Sequence, residues 1–418
     1  MLGIRVAEQS NLFGKYIGNE LKYIEQLLNS EDADQKLNPF LPRFEKAFGN
    51  LIGAKYVIGH NSGTSTLHSC LIAAGINAGD EVISPAHTVV MCAFATLHQN
   101  AIPVFVDVNP KTFNLDPEDL ERKITSKTKA IIAVHMHGLP ADMPRIMTIA
   151  RRYKIPVIED SAQSIFASIN GKMVGQWGDM ASFSFETKKH LSTGEGGAVT
   201  TNNSKYAKIV RQSGGLGYRK LTAGNSLKAV LPVEFQDPDY KRHSILGWNY
   251  RMNELTAAVA LAQIERAHII VERRKAVAKI ISEAFEDCSW ITPQLNPPGY
   301  ENSYWTYTVL YNGDASHGVS WKSFYKKFKS VGGDGFYGGL SVPYLEPVFQ
   351  DKSFLKTYLP DIVDYKNAFD YQPGLCPVAE NIQPKMMQFK TNYRDLTKVR
   401  QQRDILRSVI SDVERANS

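Results

Sequence analysis

Two adjacent lysines, Lys188 and Lys189, stand in the stretch Ser182-Phe-Ser-Phe-Glu-Thr-Lys-Lys-His-Leu-Ser-Thr-Gly-Glu-Gly-Gly197. A lysine that attacks a carbonyl must lose its proton and be held still. An apolar strand (Ala181 to Phe185) followed by a tight Gly-rich turn does both: it desolvates the amine, lowers its pKa and aims it at one point. The plainer reading of this stretch alone is a solvated loop lysine. Two upstream segments favour the chemical reading. Ile155-Pro-Val-Ile-Glu-Asp-Ser-Ala-Gln163 reads as a buried strand ending in two carboxylates, and the ends of parallel strands face the crevice where α/β proteins bind ligands. Ile58-Gly-His-Asn-Ser-Gly-Thr-Ser-Thr-Leu67 reads as strand, Gly turn and helix start, whose free N–H groups and dipole make an anion site. A phosphate cradle, a strand-end acid and a nucleophilic lysine, in this order, are the set that pyridoxal 5'-phosphate requires.

The elements that must position these residues follow from the hydrophobic pattern. From about 44 to 205, short β-branched runs alternate with helical periods: Glu81-Val-Ile-Ser84, Pro103-Val-Phe-Val106, Ala130-Ile-Ile-Ala-Val134, Pro156-Val-Ile-Glu159, Ala181-Ser-Phe-Ser-Phe185 and Ala198-Val-Thr-Thr201. Between them fall helix-period stretches such as Ala141 to Tyr153. This alternation predicts a mostly parallel sheet covered on both faces. Residues 1–43 are polar and helix-prone, including Glu20 to Leu28, and form an N-terminal arm. Residues 213–246 are Gly- and Pro-punctuated, an irregular excursion of the kind used for function or an interface. Asn253 to Lys279 reads as one long helix bridging from a large domain, 44–279, to a C-terminal domain, 280–418. The latter carries a strand at Trp305-Thr-Tyr-Thr-Val-Leu310 and a closing helix from Leu396 to Val413.

Composition narrows the function. The 418 residues are 43% hydrophobic, enough for a full core. A net charge of +6 without a Lys/Arg block or aromatic-basic interleaving argues against nucleic acid as a partner. No apolar run reaches membrane-spanning length and the start, Met1-Leu-Gly-Ile-Arg5, has no signal-peptide pattern, so the expected place is the cytoplasm. Cys70, Cys92, Cys288 and Cys376 lack metal or redox spacing, and no metal site is expected.

At these residues the chain resembles the DegT/DnrJ/EryC1/StrS sugar aminotransferases. The resemblance is carried by Asn61-Ser-Gly-Thr64, Gly79-Asp-Glu-Val-Ile-Ser-Pro85, Pro103-Val-Phe-Val-Asp107, Val134-His-Met-His-Gly138, Pro140-Ala-Asp-Met143, Glu159-Asp-Ser-Ala-Gln163, Lys189 to Gly197 and Gly247-Trp-Asn-Tyr-Arg-Met252. It runs from about Phe44 to about Arg274, with a weaker echo at Ser303-Tyr-Trp305 and Cys376-Pro-Val-Ala-Glu380. It implies a fold-type I pyridoxal-phosphate aminotransferase: α/β, with a large domain built on a mostly parallel central sheet flanked by helices, and a smaller C-terminal α/β domain. It implies that Lys189 forms the Schiff base, because Lys189 directly precedes His190-Leu-Ser192, with Lys188 as the neighbouring alternative. It implies that Asp160 faces the pyridine nitrogen and Gln163 the phenolic oxygen, and that Gly63, Thr64 and Ser184 hold the phosphate. The alternatives are an N-cap for Asp160, a surface glutamine for Gln163 and ordinary capping for Thr64. Asn249 matches a phosphate contact from the neighbouring subunit, which implies a homodimer with shared sites; a turn asparagine is the alternative.

The chain departs from the family at two places. Val89 stands where an aromatic residue often stacks on the pyridine ring, so His87 or an aliphatic face takes that role. Glu186 stands where the family often has histidine, and either shapes the sugar pocket or pairs with Lys188. His190, Tyr218 and Arg251 are further substrate-side candidates. The resemblance implies transfer of an amino group from L-glutamate to a keto or aldehyde sugar for lipopolysaccharide or related amino sugar synthesis. The acceptor is a nucleotide-linked keto-hexose or a free eight-carbon ulosonic acid of the 8-oxo-Kdo type. The rivals are a sugar dehydratase of the same fold, whose lysine is replaced by histidine, and a non-catalytic cofactor-binding regulator.

Overall fold

A computed structural model describes residues 14–29, 40–224, 236–352 and 370–416. Its centre is a seven-stranded sheet in the order β1-β9-β8-β5-β4-β2-β3. The strands are β1 (Tyr56–His60), β2 (Glu81–Pro85), β3 (Ile102–Val106), β4 (Thr128–Val134), β5 (Val157–Asp160), β8 (Met180–Ser184) and β9 (Gly197–Thr201). Two-residue strands β6 (Ser168–Ile169) and β7 (Lys172–Met173) form a side ribbon with β11 (Tyr300–Glu301). Strands β3, β2, β4, β5 and β8 pair in parallel. β9 is antiparallel to both β8 and β1, so β1 runs with the others and β9 alone against them. The expected mostly parallel sheet is present. Its strands read as near-continuous apolar runs because helices cover both faces.

One consequence decides where chemistry can occur. Six strands share a direction, so their C-terminal ends open on one edge of the sheet, where α/β folds bind ligands. There β5 ends on Asp160, and the segments leaving β1, β2, β4 and β8 carry Gly63, His87, His137 and Lys189 in turn.

β8 shows how the pattern builds both core and site. Side chains alternate across a strand. Phe183 and Phe185 point to one side and meet Phe44 and Phe48 of the helix Phe40–Ile52 edge-to-face, with centroids 5.0–5.7 Å apart. Ser182 and Ser184 point to the other: the Ser182 hydroxyl bonds Thr66 at 2.6 Å. The aromatic face anchors the strand, and the serine face is left for the helix Gly63–Ala73.

The expected single helix from Asn253 to Lys279 is two, Glu254–Glu265 and Ala267–Ser282, broken at Arg266 (φ −111°, ψ 5°). The apolar period continues across the break, so no local signal marks it. The cause is tertiary. Glu265 accepts from Tyr23 (2.5 Å) and Asn19 (2.7 Å), and Arg266 donates to the Gly14 carbonyl (3.1 Å). The N-terminal segment, with its helix Glu20–Leu28 as read from the sequence, thus clamps the break. The expected excursion starts after the helix Ser204–Gly214, and its residues 225–235 lie outside the described ones.

A second sheet, β10 (Ile291–Pro293), β12 (Thr306–Tyr311) and β13 (Met386–Lys390), is covered by the helices Trp321–Ser330 and Leu396–Arg415. The described residues of 342–352 and 370–382 do not join its core. Tyr344, Phe349, Tyr371 and Cys376 pack on Phe105 of β3 instead. The helix Pro377–Ile382 sets its first N–H groups on Asp107: Val378 and Ala379 each donate to that carboxylate at 2.8 Å. Among the described residues no helix is long and apolar enough to cross a membrane.

Candidate active site

The helix after β1 is capped by its own sequence. Ser62 accepts from the Ser65 N–H at 3.1 Å, and the Ser65 hydroxyl accepts from the Ser62 N–H at 3.2 Å. This capping box leaves Gly63 and Thr64 at the first turn, with donors that no intrahelical carbonyl can take. Gly63 is a steric requirement: a Cβ there would lie 2.8 Å from Ser184 Cβ and 3.1 Å from Ser184 Oγ. Gly197 acts likewise, since a Cβ there would meet the Phe183 and Ser62 carbonyls at 2.7 Å. The two glycines bring the end of β8 against the start of the helix. Three groups converge there: first-turn N–H donors, the half-buried Thr64 hydroxyl and the Ser184 hydroxyl, which accepts from the Glu186 N–H at 3.3 Å. These donors suit a phosphate.

The two carboxylates at the end of β5 are both buried and do different work. Glu159 is spent on structure. It accepts N–H bonds from Gly175 (2.8 Å), Trp177 (2.8 Å) and Gly178 (2.7 Å) and meets His135 Nε2 at 3.0 Å. Asp160, on the opposite strand face, accepts one N–H bond from Ala162 (3.1 Å), which is the capping contact expected as its alternative role, and a weak one from the Cys92 thiol (3.7 Å). Burial pushes its carboxyl up from the ordinary range, and the Ala162 N–H, then Lys189 and His135, draw it part of the way back. A buried acid in this state gains from a cation beside it.

Gln163 is buried, not a surface residue. Its Oε1 accepts the His137 N–H at 2.8 Å, which fixes the amide and leaves Nε2 as the group to donate elsewhere. His137 makes this contact from a left-handed conformation (φ 61°). Its ring lies 6.0 Å from that of His87. Burial lowers the His87 pKa to about 4, against a smaller opposing effect of the Leu340 backbone, so the ring is neutral.

Lys189 is half-buried with its amine 4.6 Å from the centre of the Trp305 ring. Burial pushes its pKa down, while Asp160 and then Glu186 pull it back up. Its backbone is tied at both ends: the N–H donates to the Glu186 carbonyl (2.9 Å), and the carbonyl accepts from Arg274 (3.2 Å). Lys188 is exposed and turned toward Tyr337, 5.9 Å away. The two lysines therefore sit in different environments, and the desolvated one is Lys189. Glu186 makes no ion pair with Lys188: its carboxylate accepts the Lys188 backbone N–H at 2.9 Å and tightens the turn. His190 is buried and its Nε2 meets the Ser303 carbonyl at 3.0 Å, which ties the two segments together.

Of the remaining candidates, Tyr218 lies in the excursion and Asn249 and Arg251 just after it. Asn249 and Arg251 are exposed, on a segment that pairs with Gly215 and His60, and the Asn249 carbonyl accepts from Asn61 at 3.2 Å. Tyr218 packs on His243 at 4.8 Å. Three contributors were not singled out in the sequence: Trp305 under the lysine amine, His137 behind Gln163 and Arg274 on the Lys189 carbonyl. Trp305 and His137 stood inside matched segments without a role, and Arg274 marked only the end of the match. Nothing local distinguishes a buried, loop-tethering arginine from a surface one.

The sequence signature of the DegT/DnrJ/EryC1/StrS aminotransferase family matches residues 15–406. GDP-perosamine synthase from Caulobacter vibrioides is 36% identical over 297 residues, 70% of this chain and 74% of that protein. The aminotransferase from Psychrobacter cryohalolentis superposes with a TM-score of 0.82 at 26% identity, covering 94% of this chain and 97% of that one. NtdA from Bacillus subtilis, solved with bound cofactor PMP, gives 0.74 at 26% identity over 94% and 82% of the two chains. The chain belongs to the DegT/DnrJ/EryC1/StrS aminotransferase family.

Proposed function

We propose that this protein is a pyridoxal-phosphate-dependent aminotransferase that moves an amino group from L-glutamate to a keto or aldehyde sugar. The observation that carries this reading is the meeting, at one sheet edge, of a desolvated lysine, a buried acid and a helix start into which Ser184 is drawn by Gly63. When bound, pyridoxal phosphate supplies an electron sink for the substrate carbon that carries nitrogen. Gly63, Thr64 and Ser184 would hold its phosphate, Gln163 Nε2 would donate to its phenolic oxygen, and His87 would take the place beside its ring. Asp160 balances the charge of the protonated ring nitrogen. At ~4 Å and an effective dielectric near 20 such a pair gains ~4 kcal/mol before desolvation.

Lys189 Nζ would take the proton from the substrate carbon that carries nitrogen and give it up again later in the same half-reaction. The lowered pKa makes the neutral amine accessible for the first of these tasks. Trp305 and Glu186 limit where that amine can swing. Asn249 reaches the phosphate of a second copy, so that a homodimer completes each site; its exposed side chain in the single chain fits this role.

The retained lysine speaks against the dehydratase alternative. The name of the Caulobacter relative favours a nucleotide-linked keto-hexose over a free eight-carbon acid as acceptor, and cell-surface polysaccharide synthesis as the setting. Free thiols at Cys70, Cys92, Cys288 and Cys376 fit a reducing cytoplasm. The test is spectroscopic. Purified protein should carry the visible band of lysine-bound cofactor, L-glutamate should remove it, and Lys189→Ala should lack it while remaining folded. A colourless, folded wild type that gains no band with added cofactor would end this reading.

A further inference from the structure

Trp305 stands directly before β12, half-buried, and Lys189 Nζ lies over its ring, 4.6 Å from the centre. The fold fixes this placement. The indole Nε1 donates to the Lys188 carbonyl at 2.9 Å, which ties the ring to the residue before the lysine. Arg274 donates to the Trp305 carbonyl (2.9 Å) and to the Lys189 carbonyl (3.2 Å), so one guanidinium joins the two backbones. The Thr391 hydroxyl donates to the same Trp305 carbonyl at 2.9 Å. The chain bends into this position at Tyr304, which holds a left-handed conformation (φ 50°). For a bulky residue that conformation is costly, and it persists where the surroundings over-determine it. Gly138 makes room for the bend: a Cβ there would lie 2.5 Å from the Tyr304 nitrogen and 2.8 Å from that of Trp305.

The charges around the amine show what a ring adds. Burial disfavours the ammonium; Asp160 at the end of β5, and then Glu186 in the turn, favour it; Arg274 and Lys188 oppose it. His190, next in the chain, is buried and neutral. The wall behind the turn adds Lys15, Arg273 and Arg394. A carboxylate in the ring's place would pair with the amine and keep it protonated. A ring face attracts a cation through its quadrupole, yet carries no net charge and takes no proton. It holds an ammonium without locking it in that state.

We propose that Trp305 is a positioning residue for Lys189: its ring face cradles the ammonium that forms when the free lysine takes a proton from substrate. The proposal rests on the aminotransferase reading, in which Lys189 carries a proton between two tasks. The broken C–H bond leaves its electron pair with the substrate and its proton on Nζ, so the ring faces a full positive charge. The indole bond to the Lys188 carbonyl and the Arg274 bridge keep ring and amine in register while the charge comes and goes.

The test reads the amine in cofactor-stripped, full-length protein. Pyridoxal phosphate is mixed in at a series of pH values, and the rate at which the visible band grows reports the fraction of neutral Lys189. The titrations of the cofactor itself are common to all samples. Wild type is compared with Trp305→Leu and with protein carrying trifluorotryptophan in place of Trp305. The fluorinated ring keeps its shape and its indole N–H but loses its negative face, so it remains informative if Trp305→Leu fails to fold. In both, the pH midpoint should fall by about half to one pH unit, a loss of proton affinity of about three- to tenfold. A merely structural role predicts the opposite sign, because a loosened turn admits water, which favours the ammonium and raises the midpoint. An unchanged or raised midpoint in the fluorinated protein overturns the proposal. A wild type that forms no visible band instead overturns the reading beneath it, and the proposal with it.

Discussion

Gly63→Ala asks whether the contact between the helix start and the end of β8 is as close as it must be to hold a phosphate. The added Cβ would stand 2.8 Å from Ser184 Cβ and 3.1 Å from its Oγ. Carbon atoms pack at roughly 3.5–4.0 Å, so one partner must move by about 0.7 Å or more. Catalytic and binding groups tolerate about 0.5 Å of error, and a displacement near 1 Å costs on the order of 10²-fold. The cofactor dissociation constant should therefore rise between about 10- and 100-fold, the equivalent of ~1.4–2.8 kcal/mol. An opposing effect makes the outcome decisive. Alanine favours a helix over glycine by up to about 1 kcal/mol, and no left-handed backbone strain stands at Gly63. Were the site roomy, the variant would be more stable and bind cofactor as before. Absorbance titration of cofactor into stripped protein, with thermal unfolding of the same sample, reads both quantities. Unchanged affinity together with a raised melting temperature would refute the close approach and the phosphate role of Ser184.

Asp160→Asn should stabilise cofactor-free protein by about 1 kcal/mol, because burial disfavours the charge it removes, yet should weaken cofactor retention; lower stability with unchanged retention would contradict both halves. Acid should destabilise the fold through His60, His68 and His87, each lowered by burial to about 4 from an ordinary value of 6.5. The unfolded chain then binds protons that the folded one refuses, so this stability is complete above pH 6.5 and drains as pH falls toward 4, by up to ~3 kcal/mol per histidine. Urea midpoints that stay level from pH 6.5 to 4.5 would rule this out. Asn249→Ala should loosen the cofactor, and mixing it with Lys189→Ala subunits should restore turnover in hybrid dimers; two inactive proteins that stay inactive on mixing would argue for sites closed within one chain.

The sheet and the chemistry at its edge were legible because they rest on local signals. Apolar runs named the strands, Ser62 with Ser65 wrote its own helix cap, and the Phe/Ser alternation of β8 separated anchor from site. The break at Arg266 was not legible, since it is imposed by Asn19, Tyr23 and Gly14 from far along the chain. The same holds for His190 and Glu186. Each has the residue type of a substrate contact, but a backbone partner claims one of its polar atoms, Nε2 of His190 and Oε2 of Glu186, and only the fold reveals that competition. Trp305 and Arg274 reach Lys189 across more than 80 positions of sequence, and no local signal tied either of them to that lysine.

Borohydride reduction of the coloured enzyme, followed by peptide mapping, tests the central claim most directly. One reduced pyridoxyl group should be found, on Lys189, in the peptide that also contains the exposed Lys188. An adduct on Lys188, or none on either lysine, would contradict the account.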